Sequence, residues 1–253
     1  MAIEVSAIKR NGLAFGVDSR RRHTFSLRQA RYFEIASTVR SYFDTRFAQH
    51  ETGTPFKLLD IGVQDGVTRK YLELGFADGV IEYHGADLKL NNQLYRADEW
   101  TMYFGDFQGG YPQIPDDMFD VVICEQVIEH LPSYQRAMST LSRVLKPGGL
   151  AIVGVPIFPD GLHLIRRHVV PFLDRVLDRK KERGHVQAFS MRHFRDELEK
   201  YSDLTVQCSR GFRVASGGML RPLENQEWFW RANRFIGRQV PGLCIEIQVV
   251  ATK

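Results

Sequence analysis

The feature that most constrains the fold is the stretch at residues 56–66, in which a short apolar run leads directly into a turn that contains glycine. The run FKLLDI has the nearly continuous apolar character of a strand covered on both faces, and Asp60 lies at its end. A helix is expected to follow from about residue 68 to residue 74. Gly62 and Gly66 permit backbone angles or close approaches that a Cβ would block, so a ligand can lie against the main chain. The pattern predicts the first strand of a parallel α/β sheet with a binding site at its carboxyl end.

The spacing within this turn separates two kinds of ligand. A dinucleotide-binding turn has the pattern G-x-G-x-x-G, whereas this chain has Asp60-x-Gly62-x-Gln64-x-Gly66 with Asp65 inside the turn. A carboxylate in that place would repel a pyrophosphate. A nucleoside without phosphates is therefore favoured over a nicotinamide dinucleotide, and a turn that binds no ligand stays open on this stretch alone.

Further strands alternate with helices along the chain. The alternation predicts a doubly wound α/β fold. Strands are expected at residues 56–61, 81–86, 101–104, 121–124 and 150–156, helices at about 26–50 and 133–145, and two closing strands at 204–209 and 243–251.

Polar side chains follow the ends of these strands, at the edge where parallel α/β sheets bind their ligands. Asp87 ends the second strand, where one carboxylate can accept hydrogen bonds from both hydroxyls of a ribose. Asp106 follows the third strand and can accept from the exocyclic amine of a purine while Phe107 packs on the ring. An ordinary turn carboxylate is the alternative for Asp106. Glu125 and Gln126 emerge at the end of the fourth strand.

Composition limits the class of protein. The chain has 253 residues, of which 43% are hydrophobic and 25% charged, which suits one globular domain with a large core. Its longest apolar runs are much shorter than the roughly 20 residues that span a bilayer, and no signal peptide is predicted. The 3 cysteines are widely spaced, without a C-x-x-C pair, so a reducing cytoplasm and no metal site are expected.

The net charge of +4 is concentrated in two windows. Residues 1–40 carry a net +5 and residues 161–200 a net +4, so the remainder carries −5. A basic face of this kind attracts nucleic acid, phospholipid headgroups or a phosphate-bearing substrate, and a solvated surface is the alternative.

The chain is predicted to divide into an arm and one domain. Residues 1–25 are expected to be an irregular N-terminal arm, and residues 26–253 a single domain. The apolar stripe and arginines of residues 161–185 predict a helical, lid-like insertion at about 160–188, with contact to an anionic membrane surface as the alternative. An extended segment at about 211–242 carries aromatic residues, for which we consider either stacking on an acceptor or a small satellite core.

Five pieces of the chain occur in an informative order. They are LLDIGVQDG at 58–66, GADL at 85–88, GDF at 105–107, FDVVICEQVIEHL at 119–131 and LSRVLKPGGLAIVGVP at 141–156. Together they resemble the class I S-adenosylmethionine-dependent methyltransferases, and within them the small-molecule methyltransferase subgroup. The resemblance implies a Rossmann-like methyltransferase fold, an α/β doubly wound, seven-stranded, mostly parallel sheet with an antiparallel last strand.

The resemblance also implies S-adenosylmethionine as cofactor, S-adenosylhomocysteine as product, and a role for each matching residue. The methionine part would lie along the turn after the first strand, the ribose at Asp87, and the adenine at Asp106 and Phe107. Gln64 stands where the family commonly has glycine, which would alter the cofactor fit. The implied cofactor-binding residues are Asp60, Gly62, Gln64, Gly66, Asp87, Leu88, Asp106, Phe107, Glu125 and Gln126.

The acceptor predicted from the resemblance is a hydroxyl of a small molecule, a glycan or a lipid-linked precursor. A hydroxyl acceptor benefits from a general base, for which His185 and Glu125 are the candidates. The chain lacks an Asn/Asp-Pro-Pro-aromatic sequence after the fourth strand, which disfavours methylation of nucleic-acid bases. An RNA or protein methyltransferase and a non-catalytic cofactor-binding scaffold are the alternatives. A cytoplasmic location is expected, with peripheral attachment to the inner face of a membrane as a further option.

Overall fold

The computed structural model describes Ile3 and residues 25–47, 56–161, 186–214 and 216–253. Helices and strands are numbered in chain order within these residues. Nearly all of the predicted N-terminal arm and most of the predicted lid-like insertion, including His185, lie outside the described residues.

Seven strands form one sheet. They are β1 Phe56–Ile61, β2 Ile81–Asp87, β3 Thr101–Phe104, β4 Phe119–Glu125, β5 Leu145–Pro156, β6 Thr205–Phe212 and β7 Glu246–Thr252. Their order across the sheet is β3-β2-β1-β4-β5-β7-β6. Strands β1 to β5 are mutually parallel, and β7 lies antiparallel between β5 and β6. The predicted fold, including the antiparallel last strand, is confirmed.

Helices cover both faces of this sheet, because alternate side chains of the central strands point to opposite faces. On β4, Val121 and Ile123 belong to one buried cluster, and Val122 and Cys124 to the other. The first cluster packs against α1, α2 and α5, and the second against α3 and α4. The helices are α1 Ala30–Arg46, α2 Val67–Leu72, α3 Gln135–Val144, α4 Met191–Tyr201 and α5 Glu227–Gln239.

Helix α1 spans the sheet from one end to the other. Near its start, Arg31 contacts Glu246 at the beginning of β7, while near its end the Arg46 guanidinium donates to the carbonyl oxygen of Gly148, near the beginning of β5. Because β7 is antiparallel to β5, the beginning of β7 lies beside the end of β5. The two contacts of α1 are therefore at opposite ends of the strands. The helix predicted at about 26–50 is observed as a short 3-10 turn at Leu27–Gln29 followed by α1.

Helix α5 lies in the segment at 211–242, where no helix is predicted from the sequence. Trp230 is buried in the first cluster, with its ring centroid 5.5 Å from that of Phe25 and 5.5 Å from that of Phe33. Trp228, two residues earlier, is 61% exposed. Part of the aromatic group therefore belongs to the main core, and part of it faces outward.

Gly237 allows α5 to pack closely on β6. A Cβ built on Gly237 would overlap the backbone carbonyl oxygen of Gly211. The overlapping atom belongs to the backbone of a paired strand, so it cannot turn away as a flexible side chain would.

We expect Gly237→Ala to lower the free energy of unfolding by about 2 kcal/mol. Overpacking costs about 1–3 kcal/mol or more, which outweighs the roughly 1 kcal/mol that alanine gains in helix propensity. Urea unfolding measures the difference. The matched control is Gly242→Ala, where the added Cβ would meet only the Met191 side chain at 3.7 Å. Equal stability of the two variants would contradict this account of the packing.

Candidate functional site

The carboxyl ends of β1, β2 and β4 meet at one edge of the sheet. Asp60 of β1 is in register with Gly85 of β2 on one side and with Ile123 of β4 on the other. Two adjoining cavities lie at this edge. The aromatic cavity, of about 360 Å³, contains Phe107 and Tyr111, and the charged cavity, of about 310 Å³, contains ionisable side chains from β1, β4, β7 and α1. Both are lined by Gly62, Gln64, Gln126 and His130.

The aromatic cavity brings together most of the residues predicted to bind the cofactor. Phe107 is buried, and its ring stacks on that of Tyr111 at a centroid distance of 5.6 Å. Within the described residues, no lysine or arginine lines this cavity, so it suits an uncharged planar group better than a phosphate. The predicted residues that line it are Gly62, Gln64, Asp87, Leu88, Asp106, Phe107 and Gln126.

Two carboxylates in this cavity already accept backbone hydrogen bonds. Asp87 accepts from the backbone N–H of Gln64 at 3.2 Å and from that of Leu88 at 2.7 Å. An ionised carboxylate has about four lone-pair sites, so Asp87 can still accept from a pair of neighbouring hydroxyls. Asp106 caps the turn after β3 by accepting from the backbone N–H of Gln108 at 2.9 Å. Asp106 thus has the ordinary turn role as well as a place in the cavity.

The turn after β1 keeps a glycine-like backbone at Gln64. Its φ is 48°, in the left-handed region that a side chain disfavours by roughly 1–2 kcal/mol. The backbone path of the turn is therefore compatible with an approaching ligand despite the glutamine. Gly66 lines neither cavity. With a φ of 73° it stands at the N-cap position of α2, where a Cβ would lie 3.0 Å from Leu94, so its place in the structure is to shape the turn.

Asp60 is the predicted residue whose environment is most unusual. Its side chain lines the charged cavity and is 2% exposed. Burial raises the pKa of this carboxyl to about 7, a hydrogen bond from Thr68 acts in the opposite direction, and the neighbouring acids Glu125 and Asp87 raise it further. Its Oδ2 atom has no hydrogen-bond partner in the part of the chain that the structure describes. An ammonium group would satisfy this oxygen, as the methionine amine of S-adenosylmethionine would, so the residues present fit the implied cofactor.

The charged cavity is organised by Arg31. Its Nη1 donates to Glu246 at 2.8 Å, and its Nε lies 3.3 Å from Oε1 of Glu125, close enough for an ion pair but not aligned for a hydrogen bond. Burial opposes the ionisation of Glu246, but Arg31 and Arg213 outweigh it and hold the pKa of Glu246 below its ordinary value. For Glu125 burial prevails and raises the pKa to about 7. Gln248 donates a further hydrogen bond to Glu125 at 2.8 Å.

Glu125, predicted as a catalytic residue, is therefore held between a guanidinium and an amide. A Cβ at Gly154 would overlap its carboxylate, so this side chain also lies tightly against the backbone of β5. Such contacts suit a residue that fixes the wall of the cavity. A catalytic role for Glu125 and for His185 stays a prediction.

Glu129 is a site residue that is not among those predicted. It follows β4 in a 3-10 turn, lines the charged cavity and is 0% exposed. Neither of its carboxylate oxygens has a hydrogen-bond partner within the described residues, and burial raises its pKa to about 8. Its backbone carbonyl oxygen accepts from the N–H groups of Val186 and Gln187, at 2.9 and 3.0 Å. The signal in the sequence is an acid directly after the apolar pair Val127-Ile128.

The sequence of this chain matches known proteins through the same region. Residues 59–153 match the sequence model of a family described as a methyltransferase domain. Demethylmenaquinone methyltransferase of Staphylococcus carnosus is 31% identical over 176 residues, which cover 60% of this chain and 73% of that relative. Sterol 24-C-methyltransferase of Yarrowia lipolytica is 32% identical over 120 residues, which cover 41% of this chain but only 30% of that relative.

The fold matches solved structures over a larger part of the chain. A structure from Galdieria sulphuraria, assigned as a sarcosine dimethylglycine methyltransferase, covers 90% of this chain and 86% of its own, with a TM-score of 0.57 and 16% identity. At this identity the likeness shows the fold alone. Within the described residues, no helix combines the length and apolar character needed to span a membrane.

We expect the affinity for S-adenosylmethionine to fall as the pH drops below about 7, by up to tenfold per pH unit, because protonated Asp60 no longer attracts the ammonium group. Calorimetric titration between about pH 5.5 and about pH 8.5 measures this dependence. Asp60→Asn should bind more weakly and lose most of the pH dependence.

The matched variant for this prediction is Thr68→Val, which removes the hydrogen bond that lowers the pKa of Asp60. It should move the midpoint of the affinity curve to higher pH. If the dependence of affinity on pH were the same in Thr68→Val, in Asp60→Asn and in the unsubstituted protein, another group would be the one that titrates.

Proposed function

Because this chain belongs to the class I S-adenosylmethionine-dependent methyltransferase family, we propose that it transfers a methyl group to a hydroxyl of a polar acceptor. The acceptor is a small molecule or a glycan, with or without a lipid anchor. The observation that carries the proposal is the carboxylate of Glu129, which is buried at the wall of the charged cavity with neither oxygen hydrogen-bonded in the described part of the chain.

The polarity of the charged cavity supports a polar acceptor. The two curated relatives are named for a menaquinone precursor and for a sterol. In this chain the lining of the charged cavity includes 3 arginines and 4 carboxylates, contributed by Arg28, Arg31, Arg213, Asp60, Glu125, Glu129 and Glu246. A hydrocarbon acceptor would remove water from these groups and return no hydrogen bonds, at a cost of several kcal/mol. Hydroxyl groups of a sugar or polyol would replace the lost water.

The cofactor contacts are divided among residues that fit each part of it. Asp60 would hold the amino group, Asp87 the ribose hydroxyls, and Phe107 the adenine ring. When bound, S-adenosylmethionine supplies a methyl group already activated by its sulfonium. The protein therefore has to orient the acceptor, exclude water and take up one proton.

We assign the uptake of that proton to Glu129. As the oxygen of the acceptor would form its bond to the methyl carbon, the bond from that carbon to sulfur would break and leave neutral S-adenosylhomocysteine. The O–H proton of the acceptor would pass to a carboxylate oxygen of Glu129, which leaves the ether oxygen of the product neutral. The three glutamates of the cavity differ in a way that supports this role. Glu246 and Glu125 are paired with Arg31, whereas the carboxylate of Glu129 has no hydrogen-bond partner within the described residues and lies 3.8 Å from Nε2 of His130. Its pKa of about 8 gives it useful basicity near neutral pH.

The rim of the charged cavity supports an acceptor that also has an apolar part. Ile245 lines this cavity and is partly exposed, and Leu243, two residues earlier, is 65% exposed. Apolar side chains that remain in contact with water next to a binding cavity are typical of a surface that receives a ligand or a membrane. A lipid-linked precursor, with its polar group in the cavity and its chain along the rim, would use both surfaces.

We expect Glu129→Gln to lower kcat by about 10²–10⁴-fold, because glutamine keeps the shape of the side chain but cannot take up the proton. In the unsubstituted protein kcat/KM for the acceptor should rise with pH, with an apparent pKa at or below about 8, since the positive sulfonium favours the ionised carboxylate. The variant should lose this rise.

Calorimetry supplies the control for Glu129→Gln, whose affinity for S-adenosylmethionine should stay within about twofold of the unsubstituted protein. If the variant transferred methyl groups at the full rate, or kept the same pH profile, Glu129 would not be the base.

The acceptor class is tested by transfer of labelled methyl from S-adenosylmethionine into host extract separated into lipid, polysaccharide, small-molecule, protein and RNA fractions. We expect label in a lipid, polysaccharide or small-molecule fraction, and its loss in Asp87→Ala, which weakens the ribose contact. Label in RNA or protein alone would overturn the proposed acceptor. The scaffold alternative predicts cofactor binding without transfer into any fraction.

A further inference from the structure

A third cavity, of about 480 Å³, is lined by residues of α1, α5, β5, β6 and β7 and shares no lining residue with the aromatic or the charged cavity. We call it the cationic groove. Among the described residues its lining holds six hydroxyl side chains, four cations and one carboxylate. The cations are Arg46, Arg210, Arg238 and Lys253, and the carboxylate is Glu34.

Glu34 is surrounded by more positive charge than it can neutralise. Its carboxylate is 2% exposed and accepts hydrogen bonds from Arg234 and from Arg238, whose Nη2 lies 2.8 Å from Oε2. Arg210 approaches the same carboxylate at 3.7 Å. One negative charge thus faces three guanidiniums, which leaves two positive charges in excess, although Arg238 itself is half-exposed.

The titration of these groups agrees with an excess of positive charge. Burial favours the neutral form of Glu34, yet Arg234 and Arg238 outweigh it and lower the pKa of this carboxyl. The pKa of Arg234 is itself lowered, mainly by burial and in part by the neighbouring charges of Arg238 and Arg231. An additional anion would relieve this repulsion.

The far end of the groove adds two further cations. Arg46 donates to the carbonyl oxygen of Gly148 at 2.6 Å, so its charge interacts with the dipole of that peptide group. Lys253 pairs with Asp117 at 2.5 Å and also donates to the carbonyl oxygen of Leu145 at 2.9 Å. At this end of the groove the charge of Lys253 is balanced by Asp117, whereas Arg46 has a carbonyl oxygen as its hydrogen-bond acceptor and keeps its positive charge.

Hydroxyl groups line the groove at the spacing of one helix face. Ser37, Ser41 and Thr45 recur every four residues on α1, so they point to the same side. The Ser37 hydroxyl is buried and has no hydrogen-bond partner in the described part of the chain. Hydroxyl donors next to guanidiniums suit a ligand that offers several acceptor oxygens around one negative centre.

We propose that the cationic groove binds a phosphate group, either free or carried by a small phosphorylated metabolite. Guanidinium groups from Arg210 and Arg238 would hold two of its oxygens, and the serine hydroxyls of α1 would donate to the others. The groove shares no lining residue with the aromatic or the charged cavity, so this proposal is independent of the acceptor proposed above.

The test uses the full chain in thermal unfolding, with inorganic phosphate and glycerol 3-phosphate as two separate probes against chloride at equal ionic strength. We expect a saturable rise in Tm at millimolar phosphate, because a ligand that binds only the folded state stabilises it. Phosphate also stabilises proteins in general by exclusion from their surface, an effect that does not saturate. A rise with only one probe would tell whether the bound group is free or esterified.

Two variants test whether phosphate binds in the cationic groove. Ser41→Glu places a carboxylate in the groove on an exposed helix position, so it should raise Tm without phosphate and weaken the apparent phosphate affinity at least tenfold. Arg210→Gln should weaken that affinity similarly. Arg192→Gln, which removes an exposed arginine of α4, is the matched control and should keep the full phosphate effect.

An identical phosphate response in Ser41→Glu, Arg210→Gln and Arg192→Gln would overturn the proposal, since the stabilisation would then be general. The absence of any saturable response in the unsubstituted protein to either probe would overturn it as well.

Discussion

A buried guanidinium, that of Arg31, makes the charged end of the sheet possible. It joins α1 to β4 through Glu125 and to β7 through Glu246, which are brought together across the fold. Removal of one partner from a buried ion pair leaves the other charge unpaired, at a cost of about 3–5 kcal/mol. Arg31 pairs with two of the glutamates, whereas neither carboxylate oxygen of Glu129 has a hydrogen-bond partner in the described part of the chain. In the proposed mechanism, the difference between Glu125 as a wall residue and Glu129 as the base therefore follows from which carboxylates the Arg31 side chain reaches.

Most of the fold could be predicted from the sequence, because its parallel strands are covered on both faces and so are continuously apolar. The second strand, predicted at 81–86, is observed at Ile81–Asp87. Helix α5 could not be predicted in the same way. Its buried side includes Asn233 and Gly237 while Trp228 and Phe235 are exposed, so the apolar pattern does not mark the face that packs on the sheet.

The part of the site that could be predicted is the part formed by residues next to strand ends. Asp87, Asp106 and Phe107 lie at the same edge because parallel strands place their carboxyl ends together. The pair of Arg31 and Glu246 could not be predicted, since these residues are 215 positions apart and meet only through tertiary packing. The residue type at Gln64 departs from glycine, but the backbone angle that a glycine would supply is retained.

The residues that line the charged cavity are farther apart along the chain than those that line the aromatic cavity. This difference affects the order in which the two cavities form. The aromatic cavity is built from the contiguous stretch between Ile61 and Leu131, whereas the charged cavity also needs α1 and the start of β7. Contacts between distant residues form slowly, because a long loop must close before they contribute. The aromatic cavity would therefore form before the charged cavity, so a partly folded chain would hold the nucleoside of the proposed cofactor before the surroundings of Asp60 and Glu129 are complete.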